Sequence, residues 1–438
     1  MQFLGAVSGR ILKWAVVVAL VAATGAIKGQ SEEAKPPSIA DLNMKGAETG
    51  LPGFDNTVFG DKSAGRLAMY SHGFALSGFQ TEMFTLNILK EPVDRAKQSY
   101  IGESLFLNGG VGGNVVWDMR QLHLKDAQFY LAGTWNWVSW NPGGPKAAQI
   151  FEMTFYKSFA RDRVELKAGY MGNNLEIIGL SVGGSAASGN QGVYAALPFE
   201  LGSTYFPLTA PGVNLRLQAP KHVYLKTSAQ RSLDPEGGPA EVRRNHVGLR
   251  FAPHGDKLLA YQELGLSRDA ARDVRYLWLR GGFMYNCSDY KNLATGKKDA
   301  GNHLGLVLGD VQLNHTRVDK DDAGNYVGAS AMWADSRYNP FDRYYEVRGY
   351  RKAPFASRKD DMVALVASYT THSHYLTDRL VAEGKKVWRN GASLTAAYSM
   401  RMHPGQYLNG SIGYLRGLSI TPKAEDALNL SLGYMVFF

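Results

Sequence analysis

The chain has 438 residues, 45% apolar and 11% aromatic. Its mean hydropathy is nonetheless negative, and past the N-terminus no stretch approaches the ~20 uninterrupted apolar residues a spanning helix needs. The formal charge of +9 is spread along the chain with no basic block and no zinc spacing, which speaks against a nucleic-acid partner, and the single Cys287 excludes an intramolecular disulfide.

Arg10 and Lys13, an apolar run over 14–23 and the small residues Thr24-Gly25-Ala26 have the layout of a secretory signal peptide, 1–26, cleaved after Ala26 or a few residues later at Gly29. Residues 27–65 are mixed polar, with Pro36-Pro37, Pro52 and several glycines, and read as an irregular periplasmic segment or a partial plug. Over 66–438, runs of period-two character recur between turn residues. The expected strands are 66–76, 114–124, 127–140, 149–159, 163–171, 212–219, 222–229, 245–252, 274–285, 304–315, 326–336, 343–351, 361–370, 392–401, 407–416 and 428–438, sixteen in all. The fold class that follows is all-β, a transmembrane antiparallel barrel of about 16 strands, each long enough to cross a bilayer when tilted.

Parity supports two-faced strands. Val164, Leu166, Ala168 and Tyr170 oppose Glu165 and Lys167; Val213, Leu215 and Leu217 oppose Asn214, Arg216 and Gln218; Val247, Leu249 and Phe251 oppose His246 and Arg250. In 428–438 the apolar set Leu428, Leu430, Leu432, Tyr434, Val436 and Phe438 opposes Asn429, Ser431 and Gly433. A soluble sandwich would alternate in the same way, but it would leave this greasy last strand as an open edge, and closing it onto a first strand removes the edge. Such a C-terminal strand is also what barrel-insertion machinery would engage. The 49 glycines and 23 tyrosines suit a barrel with aromatic girdles at its interfaces.

If Phe438 ends on the periplasmic side, short and long connections alternate as a barrel requires, except for 253–273, a long inner connection with helical spacing of Leu258, Leu259, Leu264 and Leu266. The longest loop, 171–211, is rich in Gly, Ala and Ser over 179–192 and then carries Tyr194, Phe199, Glu200, Tyr205 and Phe206. It is either a third outer loop folded into the lumen or a flexible surface loop.

The stretch Ser203-Thr204-Tyr205-Phe206-Pro207-Leu208-Thr209-Ala210-Pro211-Gly212-Val213 resembles the Tyr-Pro-Leu-x-Ala-Pro-Gly segment of the carbohydrate-selective porin family often called OprB. Lys167-Ala168-Gly169-Tyr170, Trp137-Val138-Ser139-Trp140-Asn141-Pro142, the run from Asn339 to Glu346, and Phe355-Ala356-Ser357-Arg358-Lys359-Asp360-Asp361 add to the resemblance, which covers roughly residues 110 to 438. One departure is Lys359, where the family usually has Pro. The resemblance implies a sixteen-stranded outer-membrane barrel that lets sugars diffuse through a constricted lumen.

A sugar offers hydroxyls for hydrogen bonding and an apolar ring face for stacking, so its path should set aromatics beside charged groups. The candidates are Glu346 and Arg348, which share a parity with Tyr344 and Tyr350, then Arg216, Arg250, Glu165, Tyr194, Glu200, Tyr205, Trp137 and Trp140. Trp135 and Trp137 share a parity that Trp140 does not, so at least one of the three belongs to an aromatic girdle. Arg358, Asp360 and Asp361 fall on an inner turn, where pinning the turn is the plainer role. The Gly-rich 182–192 stretch lacks the Gly-Lys-Ser/Thr ending of a phosphate loop. Asp319-Lys320-Asp321-Asp322-Ala323-Gly324 puts Ala323 at a calcium-ligand place and Ser330 where the bidentate Glu belongs, so it reads as a polar turn. In His372-Ser373-His374 the serine points away from both histidines if the stretch is a strand, which disfavours a hydrolase site. The sequence therefore predicts an outer-membrane porin for passive diffusion of small sugars, not an enzyme. Sugars and outer-membrane lipid and lipopolysaccharide are its expected partners, with no cofactor and no metal. A general diffusion porin and an outer-membrane barrel hydrolase are the alternatives.

Overall fold

The computed structural model describes residues 39–48, 51–60, 64–140, 148–177, 196–253, 255–417 and 419–438. The expected signal peptide, the Gly-rich 182–192 stretch and Tyr194 lie outside the described residues. No described helix is long and apolar enough to cross a membrane.

Sixteen antiparallel strands form one closed barrel in which each pairs with its neighbours in sequence and the first pairs with the last. They are β1 Phe74–Asn87, β2 Phe106–Asp118, β3 Ala127–Val138, β4 Ala148–Phe159, β5 Val164–Met171, β6 Ala210–Gln218, β7 Val223–Arg231 and β8 Leu258–Arg268. The second half comprises β9 Leu277–Lys291, β10 Lys298–His315, β11 Gly324–Ala334, β12 Phe341–Lys352, β13 Met362–His372, β14 Asn390–His403, β15 Gln406–Arg416 and β16 Ala427–Phe437. The seam is set by Phe79 opposite Phe437, and beyond it the Phe438 N–H donates to Gly78 O at 2.9 Å. Alternation is strict on β12, where Asp342, Tyr344, Glu346, Arg348 and Tyr350 are buried while Arg343, Tyr345, Val347 and Gly349 are exposed. The outer belt is apolar, with Leu76, Phe84, Leu394, Ile412, Leu430 and Leu432 all exposed, as a surface facing lipid must be.

Three expectations need correction. The segment expected as strand 66–76 begins with a helix, Ala64–Ser71, and β1 starts only at Phe74; the second strand likewise sits earlier than 114–124. The expected strand 245–252 is instead loop: it follows the helix Gly238–Arg244, and Gly248 turns there with φ +90°. The true β8 lies within the supposed inner connection 253–273. Its misleading spacing has a physical cause, since Leu259 and Tyr261 point inward yet are apolar, being covered from inside by loop residues. With β8 in place, the anomaly disappears: the connection 269–276 is a short inner turn, and the long connection, 232–257, is an outer one.

Candidate functional site: a lumen narrowed from both ends

The inner face from β4 to β12 carries charge on nearly every strand. Lys167 on β5, nearly inaccessible, lies between Glu152 on β4 at 2.8 Å and Glu176 of the third outer loop at 2.5 Å. Burying three charges is tolerable only when they are paired, and here the cation closes both carboxylates. On β12, Arg348 holds Glu346 at 2.6 Å and grips Asp310 of β10 through two nitrogens, at 2.9 and 2.5 Å. Tyr344 O–H donates to Glu346 at 2.5 Å, and Ser330 accepts from Arg348 at 2.8 Å. Glu346 and Arg348 thus share the inward face expected of them, together with Tyr344 and Tyr350, but both are 3% exposed and locked in this network.

Cations stack on aromatics further round the wall. The Arg216 guanidinium lies 4.2 Å from the Tyr224 ring centroid and that of Arg280 lies 3.7 Å from Trp278. Trp278 Nε1–H donates to Tyr224 O–H at 2.9 Å, and Tyr224 donates onward to Glu263 at 2.7 Å. Of this chain of aromatics beside charges, only Arg216 was among the sequence candidates. The signal was present, because β7 and β9 were both expected and parity alone puts Tyr224 with Lys226, and Trp278 with Arg280, on one face.

The described parts of the third outer loop, 172–177 and 196–209, lie against the inner wall. Ile177, Leu197 and Leu201 pack on Leu259, Tyr261, Met284, Leu304, Leu306, Leu308, Met332 and Tyr344, all on the inner faces of β8–β12. At the loop's far end the Phe206 ring meets Phe151 of β4 edge-on at 5.0 Å. Polar ties fix its base: Asn214 Nδ2 donates to Asn173 Oδ1 at 2.6 Å, and Asn286 Nδ2 donates to Leu201 O at 2.6 Å. Glu200, on the short helix Ala196–Glu200, accepts from the Phe341 N–H at 3.3 Å, and burial pushes its carboxyl up to about 8. Tyr205 is 40% exposed, its ring 5.8 Å from Phe199.

The N-terminal segment enters from the opposite end. Leu42 and Phe54 are buried with Phe79, Val116, Tyr130 and Phe151 of the wall. Gln128 of β3 clasps the segment, accepting from the Lys45 N–H at 3.1 Å and donating to Asn43 O at 2.9 Å. Gly46 passes between Lys167 and Tyr156 with φ +75°, and a Cβ there would lie 3.1 Å from each, so only glycine takes this path without strain. Beyond it Glu48 reaches Arg216 at 3.0 Å and also pairs with Lys226. Burial opposes the charge on Glu48, but Lys226 and Arg216 outweigh it and hold its carboxyl below the usual range.

Other candidates fall elsewhere. Trp137 faces outward near the end of β3 and donates to Glu82 Oε2 at 3.2 Å, also on the outer face, which suits an amphipathic indole at the membrane interface. Trp140 lies just past β3, half-buried. Arg250 sits exposed in the outer loop, its N–H donating to Asn245 at 2.9 Å. Glu165 and Arg216 stand opposite each other on inner faces, as expected. The turn residues do pin their turn: Asp361 accepts from Arg358 at 2.7 Å, Tyr398 at 2.5 Å and the Arg401 N–H at 3.0 Å, and Asp360 pairs with Lys320 at 2.8 Å. Lys359, where proline was expected, pairs with Asp319 of the neighbouring turn. Ser373 caps the helix His374–Ala382 and donates to Ser336 O, while His372 bonds Trp388 O at 2.7 Å; among the described residues the two are not bonded to each other. No group of His, Cys, Asp and Glu among the described residues could hold a metal ion.

The family model for OprB carbohydrate-selective porins matches residues 137–416. The chain belongs to the OprB family. In a comparison of folds, the high-pH structure of Pseudomonas putida OprB aligns with a TM-score of 0.73 and 13% identity, covering 87% of this chain and 98% of that one. The low-pH structure of the same protein aligns at 0.56 with 12% identity over the same shares, and Salmonella typhi OmpF in complex with daunomycin at 0.52 with 7% identity, covering 83% and 97%. At these identities the likeness is one of fold, and it is the fold derived above. No curated protein sequence matches the chain. The family and the barrel together make this a carbohydrate-selective porin of the outer membrane, a channel and not a hydrolase.

Proposed function

We propose that small sugars diffuse passively through the space left between the hydroxyl-lined wall of β13–β16 and the narrowing formed by the third outer loop and the N-terminal segment, which acts as a partial plug. The observation that carries this reading is the row of inward hydroxyls on that wall, Ser368, Ser393, Thr395, Ser411 and Ser431, none of them fully buried, which faces the two inserts held by the charged strands. Neutral hydroxyls both donate to and accept from sugar hydroxyls, each weakly enough for the solute to leave again. Liposome swelling across sugars of rising size, with charged solutes alongside, tests it. Rates that fall steeply with sugar size, together with channel currents that drop when glucose is added, are expected. Ohmic pores indifferent to sugar would instead indicate general diffusion.

A further inference from the structure

We infer that Arg216 and Lys226 form a seat for the carboxylate of an acidic sugar, and that Glu48 of the chain's own N-terminal segment occupies it as a resident competitor. The inference rests on the carbohydrate-porin reading and adds an ionic preference to it. Arg216 on β6 and Lys226 on β7 are direct cross-strand partners on the inner face. Like charges placed opposite one another repel, and an anion between them removes the repulsion. The structure shows such an anion: Glu48 Oε1 meets both cations, 3.0 Å from Arg216 Nη1. Apart from Glu48, Lys226 bonds the carbonyl of Glu176, at 2.6 Å, and makes no other ion pair among the described residues. Glu165, the register partner of Arg216 across β5, makes no ion pair with it within 4.0 Å.

Two further features keep the seat in place and reachable. The fully buried Tyr224 ring lies under Arg216 at 4.2 Å and within 6.0 Å of the Lys226 ammonium, so it backs both cations from the wall side. The Arg216 and Glu48 side chains are 22% and 14% exposed and that of Lys226 6%, so solvent reaches the seat from the Arg216 side. Glu48 itself belongs to an irregular segment outside the sheet, held by Gln128 and by side-chain packing, whereas both cations are fixed on paired strands. The cations therefore stay in place when the segment shifts.

The test is current block by glucuronate and by glucose in planar bilayers, on the full-length chain and on Glu48→Gln. Removing the competitor should raise the glucuronate-to-glucose ratio of block constants about tenfold, corresponding to ~1.4 kcal/mol, and shift the reversal potential in a salt gradient toward anions. Adding Lys226→Met to Glu48→Gln should cancel the gain. Glu48→Asp, which keeps the charge but shortens its reach, should move the ratio the same way by less, and it supplies the reading should the glutamine variant fail to insert. A ratio that is unchanged or lower in either variant, in pores that still pass glucose, overturns the seat while leaving the porin reading intact. Wild-type pores that glucose does not block at all overturn the porin reading itself.

Discussion

From β4 to β12 the inner wall carries Glu152, Lys167, Arg216, Lys226, Glu263, Arg280, Asp310, Glu346 and Arg348, whereas from β13 round to β1 it carries Ser368, Ser393, Thr395, Ser411, Ser431 and Thr85. On that second arc Arg401, at the periplasmic end, is the one Arg, Lys, Asp or Glu pointing inward among the described residues. The charged arc pairs its buried cations partly by recruiting groups from outside the sheet: Glu176 from the third loop and Glu48 from the N-terminal segment. The hydroxyl arc satisfies itself locally, through Ser368 with Ser393 at 2.7 Å and Thr85 with Ser431 at 2.9 Å. A hydroxyl pair can trade a partner for a passing sugar hydroxyl at little cost, because both are neutral donors and acceptors. If sugars pass as proposed, the contrast separates a wall that anchors inserts from a wall left to the solute.

The sharpest way to break this contrast is Arg348→Ala. It leaves buried Glu346 and half-buried Asp310 without their cation and should cost about 3–5 kcal/mol in urea unfolding from lipid vesicles; a loss under ~1 kcal/mol would mean that the charged arc is not a brace. Next in size is the pH response of the loop anchor. Because burial raises Glu200 to about 8, the folded loop keeps its proton where an unfolded chain has lost it, so the stabilisation is complete below the ordinary carboxylate range and fades as pH rises to about 8. Current noise or protease cleavage in the third loop should therefore increase as pH rises toward 8, and Glu200→Gln should flatten that rise. The smallest effect is expected from Ser368→Ala combined with Ser393→Ala: below ~1 kcal/mol in stability, since both partners of one hydrogen bond go together, with a weaker glucose block as the readout. Unchanged block there would move the solute path away from the hydroxyl arc.

Most strands were legible because lipid outside and water inside write a period of two into the chain, and β12 and β16 show it plainly. The pattern failed where the inside is not wet. On β8 the inward Leu259 and Tyr261 are covered by Leu197 and Leu201 of the third loop, so both faces look apolar and the alternation vanishes. It failed again on β1, where Glu82 points outward with an indole N–H to hold it, reversing the expected polarity. The charged inward residues of well-read strands, Arg216, Glu346 and Arg348, could be found by parity. Glu48 could not, because nothing in an irregular segment says which wall it will meet.

The closing seam ties the two ends of the described chain together. The Val58 N–H donates to Phe437 O at 2.8 Å, the Phe59 ring lies edge-on to Phe438, and Phe438 itself completes the bonds to β1. The chain's last two residues therefore brace two things at once, the closing of the ring and the seating of Val58 and Phe59 against it.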